Sequence, residues 1–183
     1  MITNLMLDLE TTGTKPGCCI LSVGIAPFLT DIPQDTFYET ISHSSSKSYG
    51  FTDSPDTLSW WDKQKPDIQA EAFSGTRDLK AALESISFYM KCLGEPKEII
   101  VWGNGKDFDN MILTEAFQRL GMKLPWDFRN NRCYRDLAAL YPMYPKEKIA
   151  NAHNALEDAL VQARHATLII TGATHGALPI FPR

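Results

Sequence analysis

The apolar run Asn4-Leu5-Met6-Leu7 continues without a break into Asp8-Leu9-Glu10-Thr11, and this junction constrains the fold more than any other stretch. The run has the composition of a buried strand. Successive side chains on a strand alternate, so Asp8 and Glu10 project from one face. Two adjacent carboxylates resist joint ionisation unless cations sit between them. Mg²⁺ and Mn²⁺ are hard cations that prefer oxygen ligands of this kind. The strand end therefore reads as one wall of a carboxylate cage for divalent metal, and phosphate chemistry is the natural work of such a cage.

Two more strand patterns follow. Ile20 to Phe28 is apolar and β-branched, and Asp35 to Ser42 alternates. Three strands joined by turns suggest an antiparallel meander. Ser42 to Tyr49 reads as a polar loop, and Asp56 to Trp61 as a short helix with Asp56 as its cap. Thr76 to Gly94 carries Leu79, Leu83, Ile86 and Met90 at helical spacing. Glu98 to Gly103 is a short strand of the buried parallel type, and a helix over Asp107 to Gly121 follows it. A strand around Arg132 to Arg135 and a long helix over Asn154 to Thr171 complete the order. Strands first, then strands alternating with helices, predict an α/β fold with a mixed central sheet flanked by helices. Residues 1–171 form one domain in this reading, with 172–183 as a tail.

The chain has 183 residues and 44% apolar content, enough for one full core. No stretch approaches the roughly 20 apolar residues of a membrane span, and Met1 to Asn4 lacks the basic flank of a signal peptide. Cys18, Cys19, Cys92 and Cys133 show neither CxxC nor zinc-ligand spacing, as expected of reduced, space-filling thiols in a cytoplasmic protein. The net charge of −4 hides an uneven distribution. Between Arg119 and Lys148, seven basic residues face three acids, a local +4 that leaves −8 for the remainder. Those cations form either a solvated surface or a basic rim that draws a phosphodiester backbone toward the acids.

Asn104 to Asp109 follows the strand ending at Gly103 and opens a helix, the kind of junction where α/β proteins place ligands. Asp107 suits a helix cap, which leaves Asp109 for chemistry. Phe108 serves either the core or the face of a base. His153 stands just before the last helix, whose first turns carry Glu157 and Asp158. Imidazole transfers protons near neutral pH, although a lone histidine at a helix start is also a common structural element.

The order Asp8-x-Glu10-Thr11, Asn104-x-x-x-Phe108-Asp109 and His153-x-x-x-x-Asp158 resembles the DEDDh 3′–5′ exonucleases. Thr57-Leu58-x-Trp60-Trp61 and Trp102-Gly103-Asn104-Gly105 are similar to a smaller bacterial and phage branch of exoribonuclease-like domains. The resemblance runs from about Leu5 to Ala166. It implies a ribonuclease H-like fold and a metal-dependent 3′–5′ exonuclease that releases nucleoside 5′-monophosphates from single-stranded RNA or DNA. It further implies that Asp8, Glu10, Asp109 and Asp158 hold two divalent ions, Mg²⁺ or Mn²⁺, with His153 as general base. Thr11, Asn104, Phe108 and Trp60 or Trp61 would then contact the terminal nucleotide, one of the two tryptophans facing the core. The resemblance implies nucleic acid as partner and is compatible with a homodimer. Two other readings stay open: a non-catalytic nucleic-acid-binding module on the same fold, and a hydrolase of dinucleotides or very short oligonucleotides.

Overall fold

Leu5, Met6 and Leu7 are consecutive and all completely buried, so their strand is covered on both faces, as in a layered α/β architecture. A computed structural model describes residues 2–29, 35–147 and 153–174. Strand β1 (Thr3–Thr11) pairs antiparallel with β2 (Ile20–Phe28), and β2 antiparallel with β3 (Phe37–Thr40). On its other side β1 pairs parallel with β4 (Ile99–Gly103), and β4 parallel with β5 (Asn131–Cys133). The order β3-β2-β1-β4-β5 is the expected mixed sheet.

The two-residue period of β1 sorts its side chains between two cores. Leu5, Leu7 and Leu9 enter the larger one, built with α4 (Leu79–Leu93) and α5 (Asp109–Arg119). Leu79, Leu83, Ile86 and Met90 are all fully buried there. Truncating Leu7 to alanine would cost about 2–5 kcal/mol. Met6 faces the opposite side and packs with Ala159, Ala163 and Ala166 of α7 (Ala155–Thr174). Asp8 and Glu10 extend the row of Met6 and so lie on the α7 side. Small alanines at helical spacing let α7 come close to the sheet. Gly24, the register partner of Asp8, has the same effect at the helix start, because a Cβ there would collide with the backbone of Ala155 and Leu156. This close approach carries Asp158 to the end of β1.

Several local expectations are corrected. Ser42 to Tyr49 is not a loop: His43–Ser48 forms helix α1, capped by the Ser42 hydroxyl, which accepts from the Ser45 N–H. That helix has no apolar period and is tied down by tertiary bonds, Ser45 Oγ donating to Asp78 and accepting from the Leu79 N–H. Ser54, not Asp56, caps α2 (Pro55–Trp61), with Pro55 at a first-turn position that needs no N–H donor. Asp107 is not the cap of α5 either; Phe108 holds that position. The expected strand at Arg132 to Arg135 ends at Cys133, and Tyr134 begins helix α6 (Tyr134–Leu140). A short helix α3 (Pro66–Ala72) had no counterpart in the sequence reading. Helix α7 continues past Thr171 to Thr174, so the proposed tail boundary falls inside it. Lys148, His175 and the rest of the tail lie outside the described residues.

Candidate active site

The carboxyl ends of β1 and β4 and the starts of α5 and α7 converge on a cavity of about 800 Å³. Asp8, Glu10, Thr11, Trp60, Trp61, Asn104, Phe108, Asp109, His153 and Asp158 all line it. One carboxylate oxygen from each of Asp8, Glu10 and Asp158 falls within 4.8 Å of the others. Asp8 and Glu10 are buried, and among the described residues no lysine or arginine forms an ion pair with the three.

Burial, then the charges of Asp109, Glu10 and Asp158, push the Asp8 carboxyl far above the usual carboxylate range. Glu10 is raised to about 8 by burial and then by Asp158 and Asp109. Asp158 is raised by burial, partly offset by the His153 backbone N–H that donates to its Oδ2 at 3.0 Å. The cluster is therefore an electrostatic conflict that a divalent cation would resolve. The donor set, hard carboxylate oxygens without soft ligands, suits Mg²⁺ or Mn²⁺.

Asp109 stands slightly apart. Burial raises it to about 7, while its Oδ1 accepts from the Leu9 N–H and its Oδ2 from the Gly105 N–H. Gly103 makes room for it, since a Cβ there would come within 3.0 Å of the Asp109 side chain. With both oxygens held by backbone amides, Asp109 is suited to reach an ion through water.

His153 adopts φ +76°, an uncommon conformation for a residue with a Cβ. Its ring meets Trp60 edge to face at 4.8 Å and Trp61 at 6.2 Å. The two tryptophans divide as the sequence allowed. Trp61 is 1% exposed and its Nε1 donates to the Thr11 carbonyl, whereas Trp60 is 40% exposed at the cavity mouth. Trp61 is thus a core residue, and Trp60 alone offers a ring to solvent. The Thr11 hydroxyl donates to the Gly13 carbonyl at 2.6 Å, so it shapes the strand end rather than standing free for a ligand. Phe108 is half-buried against the larger core and also lines the cavity.

Sequence reasoning passed over Gln162 and Ser54, and took Thr57 only as part of a motif; all three also line the cavity. It saw Arg135 and Lys146 only as members of a basic stretch; the structure brings these two to the cavity wall. Arg119 and Arg129 instead pair with Glu115 and Asp127. A second group of ligand-type side chains, Cys19, His43 and Asp53, also gathers within 4.8 Å. All four cysteines are free thiols, Cys18 and Cys19 buried. No helix among the described residues is long and apolar enough to cross a membrane.

The fold is that of the ribonuclease H-like exonucleases. E. coli Exonuclease I, crystallised with a dT13 oligonucleotide, superposes with TM-score 0.69 at 17% identity, over 96% of this chain and 42% of that one. Cell-death related nuclease 4 gives 0.64 at 17% identity, over 93% and 64%. The nuclease domain of 3′hExo, a DEDDh family member bound to rAMP, gives 0.60 at 15% identity, over 92% of both chains. The chain thus spans about two fifths of the length of Exonuclease I. No curated protein matches the sequence significantly. The chain belongs to the 3′–5′ exoribonuclease Rv2179c-like domain family, which it matches over residues 3–170.

Proposed function

We propose that the domain is a DEDDh-type 3′–5′ exonuclease that hydrolyses the terminal phosphodiester of single-stranded RNA or DNA. The observation that carries this reading is the trio of carboxylates, Asp8, Glu10 and Asp158, within 4.8 Å at a cavity that His153 also lines. Two divalent cations, Mg²⁺ or Mn²⁺, held by the trio and by Asp109, would activate the attacking water and neutralise the phosphate. His153 takes the proton of that water, which attacks phosphorus as the P–O3′ bond breaks. A nucleoside 5′-monophosphate leaves, and the shortened strand keeps a 3′-hydroxyl.

The remaining lining residues fit a nucleotide. Trp60 presents a ring on which a base can stack, an interaction worth about 1–3 kcal/mol. Phe108, Asn104 and Thr11 border the same space. Arg135 and Lys146 supply positive charge for a neighbouring phosphate. The test is a 5′-labelled oligonucleotide, as RNA and as DNA, incubated with Mg²⁺ or Mn²⁺. A ladder shortening from the 3′ end is expected; strands left intact with every metal reject the reading.

A preference for short oligonucleotides is the second reading. It is favoured by the net charge of −4 and by a cavity whose lining cations are Arg135 and Lys146, since long polyanions bind best along broad basic surfaces. Rates on a dinucleotide and on a strand of about twenty nucleotides decide it.

A further inference from the structure

Gln162 carries no catalytic signature, yet its side chain is bonded directly to the acidic cluster. It sits on α7 one turn past Asp158 and is 1% exposed. Its Nε2 donates to Asp8 Oδ1 at 2.8 Å, and among the described residues no other donor reaches that carboxylate. Its Oε1 is buried and, among the described residues, has no partner. A buried carbonyl without a donor is costly, and buried amides ordinarily satisfy both ends. A methionine would fill similar space without that cost, so packing does not account for the residue.

We propose that Gln162 is a positioning residue for the cation site. Its N–H holds the Asp8 carboxylate in the orientation that receives a divalent ion, and its bare Oε1 accepts from a water that enters with the ion. A neutral amide is the chemistry this position requires. A lysine or arginine would neutralise Asp8 and compete with the cation, whereas a neutral donor fixes one oxygen and leaves the charge in place. Residues of this kind, bonded to ligands rather than to the metal, set affinity by orienting the ligand.

The inference rests on the exonuclease reading only in that Asp8 holds a cation, so binding and cleavage are measured separately. Manganese is titrated into the metal-free full chain and followed by the EPR signal of free Mn²⁺. Gln162→Met should weaken binding about 10–100-fold while melting remains cooperative at the parental temperature or above. The Mn²⁺ concentration for half-maximal cleavage should rise by the same factor. Gln162→Leu, different in shape, repeats the test should methionine disturb the packing. Parental Mn²⁺ affinity in either folded variant overturns the role. A parent chain that binds no manganese overturns both this inference and the cation site. A parent that binds manganese but shortens no strand overturns the exonuclease reading alone.

Discussion

Asp8, Glu10 and Asp158 bring three ligand atoms within 4.8 Å, and Cys19, His43 and Asp53 do the same. In the second group Asp53 accepts from His43 Nε2 at 2.8 Å, Lys47 Nζ at 2.8 Å and Thr12 Oγ1 at 2.7 Å. Burial opposes its ionisation, but the bonds from Lys47, His43 and Thr12 outweigh burial and hold the carboxyl well below the usual range. Burial meanwhile pushes the Cys19 thiol up to about 12, so it does not offer a thiolate. That group is a finished knot, joining α1 to the turn after β1. The first group has no internal cation and all of its carboxyls are raised. Proximity of ligand types is common to both; only the first leaves charge unresolved, the condition that a divalent cation would relieve.

The largest effect that tests this contrast is on turnover. Asp8→Asn should lower cleavage at least about 10³-fold, since several kcal/mol of charge stabilisation depend on the ions that Asp8 is proposed to hold. The same change should raise the melting temperature of the metal-free protein at neutral pH, because a buried carboxyl whose ionisation the fold opposes is replaced by a neutral amide; product ladders and calorimetry read the two effects. His153→Ala should slow cleavage by about 10²–10⁴, the range for loss of a general base, with Mn²⁺ binding little altered. Near-parental rates would take the imidazole out of the chemistry.

Stability against pH should slope in opposite senses for the two groups. Glu10 and Asp109 have folded values of about 8 and about 7, above their ordinary 4.5 and 3.8. The folded state therefore holds more protons than the unfolded one across that interval, and metal-free stability falls as pH rises from about 4 to 8. The loss should be on the order of a few kcal/mol and should shrink when Mn²⁺ is added. Asp53 works the other way: its contribution is fully present above about pH 4 and is lost progressively as pH falls below the unfolded value of 3.8 and through the lower folded one. Denaturant titrations across pH would show both slopes, and a flat metal-free profile between pH 5 and 8 would remove the conflict from the acidic cluster. The smallest effect is that of Asp53→Ala, expected to cost about 1–3 kcal/mol through its lost charged hydrogen bonds. Its cleavage rate at saturating Mn²⁺ should stay within a few-fold of the parent.

Much of this arrangement is legible along the chain because its signals are local. The unbroken apolar run into Asp8 and Glu10 requires a central strand, and the spacing of Leu79, Leu83, Ile86 and Met90 requires an amphipathic helix. The short helices α1, α3 and α6 escape such reading. Seven residues or fewer hold little periodicity, and α1 depends on Asp78, more than thirty positions away, to anchor Ser45. Caps were misplaced where two polar residues compete, Ser54 with Asp56, and where the cap position falls on Phe108, whose side chain makes no capping bond. In the site, carboxylates and a histidine announce themselves by type. Gln162 does not, and its partner Asp8 is 154 positions away. Its place four residues after Asp158 was nonetheless readable as the same helical face.

Diffraction from a crystal soaked in manganese, with anomalous signal collected at the metal edge, tests the central claim most directly. The account predicts density among Asp8, Glu10 and Asp158, with none at Cys19, His43 and Asp53. Manganese at the second group with the first left empty would contradict it.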